Sequence, residues 1–268
     1  MAEQLATTHP VFAHTLDQCA QALDPYLDTP LHHVLNDPTA LQRVDIVQPA
    51  LFAVMVSLAA LWRSHGIHPA AVIGHSQGEI AAAHVAGALT LPDAARIIAL
   101  RSQALTTLTG NSGMISLHTT ATHTHHLIQP WKNHLHIAAH NSPTTTIVSG
   151  TTPALQALLT HCHTHGIHAR TIPVDYASHS PHMEPLHTPL THLLAPTTPQ
   201  PLTTPMYSTT HNTWLHGTEL TPHYWYENIR QPVTFHPAIH TLTTTHHHHH
   251  YLEISPHPVL TPAIHDTL

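Results

Sequence analysis

Charge is scarce in this 268-residue sequence. Asp, Glu, Lys and Arg together make up 8% of it, against about 25% in an ordinary globular chain. The formal net charge is −7, so no basic surface invites nucleic acid. Two cysteines, Cys19 and Cys162, exclude a disulfide framework. The nine glycines form no glycine-rich loop of the kind that cradles phosphates. No secretory leader pattern opens the sequence. Its most apolar run, residues 49–62, is about two-thirds of the roughly 20 residues that a membrane helix needs. These absences lead us to expect a soluble, cytoplasmic protein with neither membrane nor nucleic-acid partners.

What the sequence does contain is hydrophobic residues, at 41%, enough for a sizeable core, together with 35 histidines and 24 prolines. Imidazoles with an ordinary pKa of about 6.5 would turn such a surface cationic in mild acid. Five consecutive histidines, 246–250, are internal and read as a solvated loop. "HCHTHGIH" around Cys162 has ligand-like spacing. In a chain this rich in histidine such spacing is cheap, and no metal site is expected.

Residues 48–67 are apolar nearly all round, the pattern of a helix buried within a domain. "AAVIG" reads as a buried parallel strand, and residues 77–88 as the helix after it. Residues 91–108 form a further helix with Pro92 early, where proline is tolerated. Strand, turn and helix in this order predict an α/β layered core. From Gly113 onward the texture changes to strand, helix, strand, strand, helix, strand, ending with "IHARTIPV". That is the ferredoxin-like order. It predicts a small subdomain, 113–174, inserted into a large one made of 1–112 and 175–268. Residues 181–205 keep a helical leucine pattern, and "PMYS" and "YLEIS" read as further core strands.

"GHSQG" places Ser76 in a G-x-S-x-G elbow between strand and helix. Such a turn exposes the hydroxyl over a helix N-terminus, where the backbone N–H of Gln77 can help hold an oxyanion. A tight bend needing only small residues is the competing explanation. Arg101 adds a second constraint, because it falls within the apolar stripe of residues 91–108. An arginine facing a core is costly unless an anion meets it, and a planar fork suits a carboxylate. The alternative is a side chain at the edge of the stripe that reaches out to water.

Several stretches then match a known family in order and spacing: "RVDIVQPALFAVMVSLAALW", "GHSQGEIAAAHVAGALTL", "ARIIALRSQAL", "NSPTTTIVSG", "VDYASHSPHME", "YWYENIRQPVTF" and "LEISPHPVL". The chain resembles the acyltransferase domain of modular (type I) polyketide synthases, related to malonyl-CoA:acyl carrier protein transacylases. The resemblance implies an α/β-hydrolase-like parallel-sheet core carrying the ferredoxin-like insertion. It implies a Ser-His dyad, with Ser76 as nucleophile, His179 as general base and acid, and Arg101 as the group that binds a substrate carboxylate. Asn228 matches the position whose backbone carbonyl orients the histidine, while His75, Gln48 and Asn141 match pocket-lining positions. "RVDIVQ", Gln77, and Tyr176 and Ser178 of "YASH" resemble members selective for methylmalonyl units, Ser178 leaving room for the α-methyl group. The implied partners are methylmalonyl-CoA, an acyl carrier protein, and the ketosynthase and other domains of a larger polyketide synthase. No cofactor is implied, coenzyme A thioester being a substrate.

Relatives begin with an apolar strand and a GQGSQ loop that supplies another oxyanion donor. The matched region here starts after that loop, so the N-terminal strand and GQGSQ loop are expected to be missing and activity to be weak. A truncated, catalytically impaired fragment is therefore one alternative. The other is an α/β-hydrolase such as a thioesterase, for which Glu79, Asp93 and Asp175 are the only acids between Ser76 and His179.

Overall fold

A computed structural model describes all 268 residues. The N-terminal part is helical: α1 (Ala2–Thr8), α2 (Pro10–Leu23), α3 (Leu31–Val34) and α4 (Val44–Ser64). A two-residue strand β1 (Val72–Ile73) leads to α5 (Gly78–Val85) and α6 (Leu91–Thr106). A four-stranded unit follows: β2 (Ser112–Leu117), α7 (Ala121–Leu127), β3 (Leu135–Ser142), β4 (Thr145–Thr151), α8 (Thr152–Thr164) and β5 (Ala169–Ile172). The chain closes with α9 (His187–Leu193), β6 (Met206–Ser208), β7 (Thr213–Leu215), α10 (Pro222–Arg230), α11 (Phe235–Thr244) and α12 (Thr261–Thr267).

Helix α4 is the spine of the large unit. It packs against α2, α5 and α6, burying Ile46, Phe52, Val54 and Val56 among others. It starts four residues before the helix expected over 48–67 and tolerates Pro49 within it. By length and composition it alone could cross a membrane, but 61% of its most apolar window is buried in the fold. Helix α6 is capped by Thr90, whose side chain accepts from the Asp93 backbone N–H, the usual way to satisfy a free N-terminal donor. Its buried stripe holds Ile97, Ile98, Leu105 and, among them, Arg101.

The sheet of the large unit differs from the parallel core expected. It has three strands in the order β1-β6-β7, of which only β1 and β6 are parallel. Strands β6 and β7 are joined by residues 209–212, with Asn212 at φ 53°, a connection too short for a parallel crossover, so they pair as an antiparallel hairpin. "YLEIS" enters no ladder. The carboxylate of Glu253 instead takes the backbone N–H groups of Val259, Leu260 and Thr261, folding the segment into a compact loop.

The second sheet is antiparallel, in the order β3-β4-β2-β5. Its two central strands, β2 and β4, are the ones that lead into α7 and α8, a split β-α-β arrangement. Ile115, Leu117, Leu135, Val148 and Leu158 form a core of its own beneath those helices. The other face meets the large unit through Ala138, Ala139 and Ile147 against Val233, Phe235 and Ile239. Backbone hydrogen bonds reinforce that seam: His140 N donates to Val233 O at 2.9 Å and Val233 N to Ala138 O at 2.9 Å. The segment after α10 is thus fixed to β3, which matters for the site.

Candidate active site

Ser76 sits between β1 and α5 with φ 53°, in the left-handed region that non-glycine residues seldom occupy. Helix and strand meet closely here. A Cβ on Gly74 would lie 2.2 Å from Glu79 N, so only glycine fits. Gly78 has no such role, since a Cβ there would meet nothing within 4 Å. The bend leaves the Gln77 backbone N–H without an intramolecular acceptor at the start of α5.

Ser76 Oγ lies 2.8 Å from His179 Nε2. His179 Nδ1 lies 2.8 Å from Gln231 O. A carbonyl can only accept, so Nδ1 carries the proton and Nε2 is left to accept from the serine hydroxyl. Burial, helped by the nearby positive Arg101, pushes the His179 pKa down to about 3. The imidazole is therefore neutral at pH 7, as a proton acceptor must be. His179 is itself held at φ 61°, its backbone N–H donating to Ile229 O at 2.8 Å.

The orienting carbonyl belongs to Gln231, which corrects the role expected for Asn228. Asn228 lies three residues earlier, on the last turn of α10, and acts through its side chain. Its Nδ2 donates to Ser76 O at 3.2 Å and to Glu79 Oε2 at 3.0 Å. Helix α10 ends at Arg230, and the extended chain after it turns the Gln231 carbonyl towards the imidazole.

Arg101 is 1% exposed and forms no ion pair. Its Nη2 donates to Ser76 Oγ at 3.3 Å and its Nη1 to Gln48 Oε1 at 2.8 Å, while Nε has no partner. Burial lowers its pKa to about 10, still cationic at neutral pH. A buried cation without an anion is costly, and the planar guanidinium next to Ser76 has the fork geometry that suits a carboxylate. It does not reach out to water, the alternative raised by sequence.

The remaining candidates surround this centre. His75 donates through Nε2 to Asn141 Oδ1 at 2.8 Å, across the seam from elbow to β3. Its ring centroid lies 5.5 Å from that of Phe235, and burial lowers its pKa. Gln48, Tyr176 and Ser178 are all buried. Gln48 Nε2 lies 3.4 Å from Tyr176 OH. The side-chain Oε1 of Gln77 is buried without a partner.

Glu79, named from sequence only as a possible triad acid, has a structural role that sequence reasoning missed. It is fully buried and its carboxylate receives Thr209 N and Oγ1, Thr210 N and Oγ1, Tyr224 OH and Asn228 Nδ2. This ties the elbow to the β6–β7 turn and to α10. A lone acid among "GEIAAAHV" carries the same signal as Arg101, an ionisable side chain inside an apolar helix. It does not touch His179. The imidazole meets a carbonyl where a hydrolase triad has a carboxylate.

The family model described as "Acyl transferase domain" matches residues 1–268. Polyketide synthase GfsE of Streptomyces halstedii is 50% identical over 260 residues, which is 97% of this chain and 7% of that protein's length. Among solved structures, the acyltransferase domain from module 8 of the salinomycin polyketide synthase superposes with a TM-score of 0.93 at 46% identity, covering 96% of this chain and 61% of that one. A loading acyltransferase from the avermectin modular polyketide synthase gives 0.95 at 41% identity, covering 100% of this chain and 86% of that one. The chain belongs to the acyltransferase domains of modular polyketide synthases.

Proposed function

We propose that this domain loads a methylmalonyl extender unit from coenzyme A onto Ser76 and passes it to the phosphopantetheine thiol of an acyl carrier protein. His179 Nε2 takes the Ser76 proton as Oγ attacks the thioester carbonyl. The Gln77 backbone N–H stabilises the oxyanion, and collapse expels the coenzyme A thiolate, to which His179 returns the proton. The carrier thiol then attacks the acyl-Ser76 ester by the same steps in reverse order. Coenzyme A is a substrate here and no resident cofactor takes part. The carrier protein, ketosynthase and further domains would belong to one multidomain synthase.

The observation that carries this reading is the unpaired, buried Arg101 guanidinium 3.3 Å from the Ser76 hydroxyl. A site for plain acyl esters has no use for it. Methylmalonyl preference rests on the match of "RVDIVQ", Gln77 and "YASH" and on the small buried Ser178. One methyl group in a pocket discriminates by only about 1–3 kcal/mol, so the preference is one of degree.

Intact-mass measurement after incubation with methylmalonyl-CoA, malonyl-CoA and propionyl-CoA tests the proposal. A methylmalonyl adduct that dominates and vanishes in Ser76→Ala is expected. A dominant malonyl adduct overturns the extender assignment. No adduct on a folded chain favours an impaired domain with only a scaffolding role.

A further inference from the structure

The buried polar groups beside Ser76 form a chain with a fixed direction. Arg101 can only donate, so the Gln48 amide must turn its oxygen towards Nη1, at 2.8 Å. Its NH₂ group then faces Tyr176, whose hydroxyl accepts at 3.4 Å. All three side chains are buried: Arg101 is 1%, Gln48 7% and Tyr176 9% exposed. Water therefore does not substitute freely for a lost partner, and an orphaned donor carries its desolvation cost. Gln48 comes from α4, Arg101 from α6 and Tyr176 from the loop before His179, so the chain links three segments at one point.

We propose that Tyr176 is a positioning residue for Arg101. Through Gln48 its hydroxyl sets the plane and depth of the guanidinium, and so the recognition of the substrate carboxylate. Resting on the loading reaction above, this deepens that reading by assigning the tyrosine to the carboxylate end of the acyl unit. A tyrosine that merely walled the α-methyl pocket would work through its ring, and the hydroxyl would be dispensable. A tyrosine that holds the relay works through the hydroxyl.

Tyr176→Phe separates the two, because it removes the oxygen and keeps the ring. The steady-state readouts are kcat and KM for acyl transfer from methylmalonyl-, malonyl- and propionyl-CoA. Carboxylate binding is made in ground and transition states alike, so its loss raises KM and spares kcat. The expected result is a KM raised about three- to tenfold for both carboxylated substrates, the range for one lost buried hydrogen bond. Propionyl-CoA is unaffected, and the methylmalonyl-to-malonyl ratio of kcat/KM is unchanged. Gln48→Ala removes the link itself, together with its direct bond to Arg101, so Tyr176→Phe should add little to it in the double variant. A changed methylmalonyl-to-malonyl ratio with intact discrimination against propionyl-CoA overturns the proposal, as do fully additive effects. Wild-type protein that takes up no acyl group from any of the three substrates would instead refute the loading reaction itself.

Discussion

Arg101 Nη2 and Ser76 Oγ stand 3.3 Å apart, with no carboxylate on the guanidinium. The nucleophile and the cation thus share one small volume. Arg101→Ala should lower kcat/KM for methylmalonyl-CoA by about 100-fold, the loss of a charge-assisted fork. Transfer from propionyl-CoA should change little. An equal fall for both substrates, measured with the same thioester assay, would assign the arginine to the Ser76–His179 pair or to the fold rather than to the carboxylate.

Glu79 should be a stability residue more than a kinetic one. Glu79→Ala strands donors from Thr209, Thr210, Tyr224 and Asn228 in the core. A loss of about 3–5 kcal/mol in urea unfolding is expected, since several buried neutral donors lose their acceptor at about 1–3 kcal/mol each. A loss under about 1 kcal/mol would mean that the carboxylate is dispensable.

Acid should weaken the fold through His179. Its pKa is about 3 in the folded chain because of burial and about 6.5 when unfolded. Between those values the unfolded chain binds a proton that the folded one refuses, so stability rises with pH. The contribution is complete above about 6.5 and is lost progressively as pH falls towards about 3. His75 and His84, also lowered by burial, act in the same direction. Urea midpoints compared at pH 7.5 and pH 5 should show the fall, and His179→Gln should make it shallower. An identical fall in that variant removes His179 from the account.

The two elbow glycines should respond oppositely to alanine. Gly74→Ala drives a Cβ into the backbone of Glu79 and should yield little folded protein. Gly78→Ala meets open space at the start of α5, and should be neutral or stabilise by up to about 1 kcal/mol. Soluble yield and melting temperature of the pair decide this, and equal damage would refute the contrast.

What was legible in the sequence was local. Ser76 could be read because strand, bend and helix are contiguous, and Arg101 because helical period alone puts it among Ile97, Ile98 and Leu105. The small unit was legible because its strands are four to eight residues long and its helices regular. The large sheet was legible only in part: "AAVIG" and "PMYS" hold the parallel pair β1 and β6, whereas β7 has three residues, too few for any period to show, and "YLEIS" enters no ladder. Gln231 left no trace because its contribution is a main-chain carbonyl, identical in every residue type. Glu79 draws its partners from segments about 130 to 150 positions away, a distance over which spacing is silent.

The seam between the two units has a consequence for recombining such domains. One edge of the small sheet, β3, bonds both the N–H and the carbonyl of Val233 and carries the Asn141 that meets His75. Two residues before Val233 lies the carbonyl that aims His179. A graft replacing residues 113–174 alone would thus bring in a foreign β3 against a resident 231–235 segment, and mismatch would surface at the imidazole and at the elbow together. Moving the transplanted segment's end past Ile239 keeps both faces of that joint from one parent.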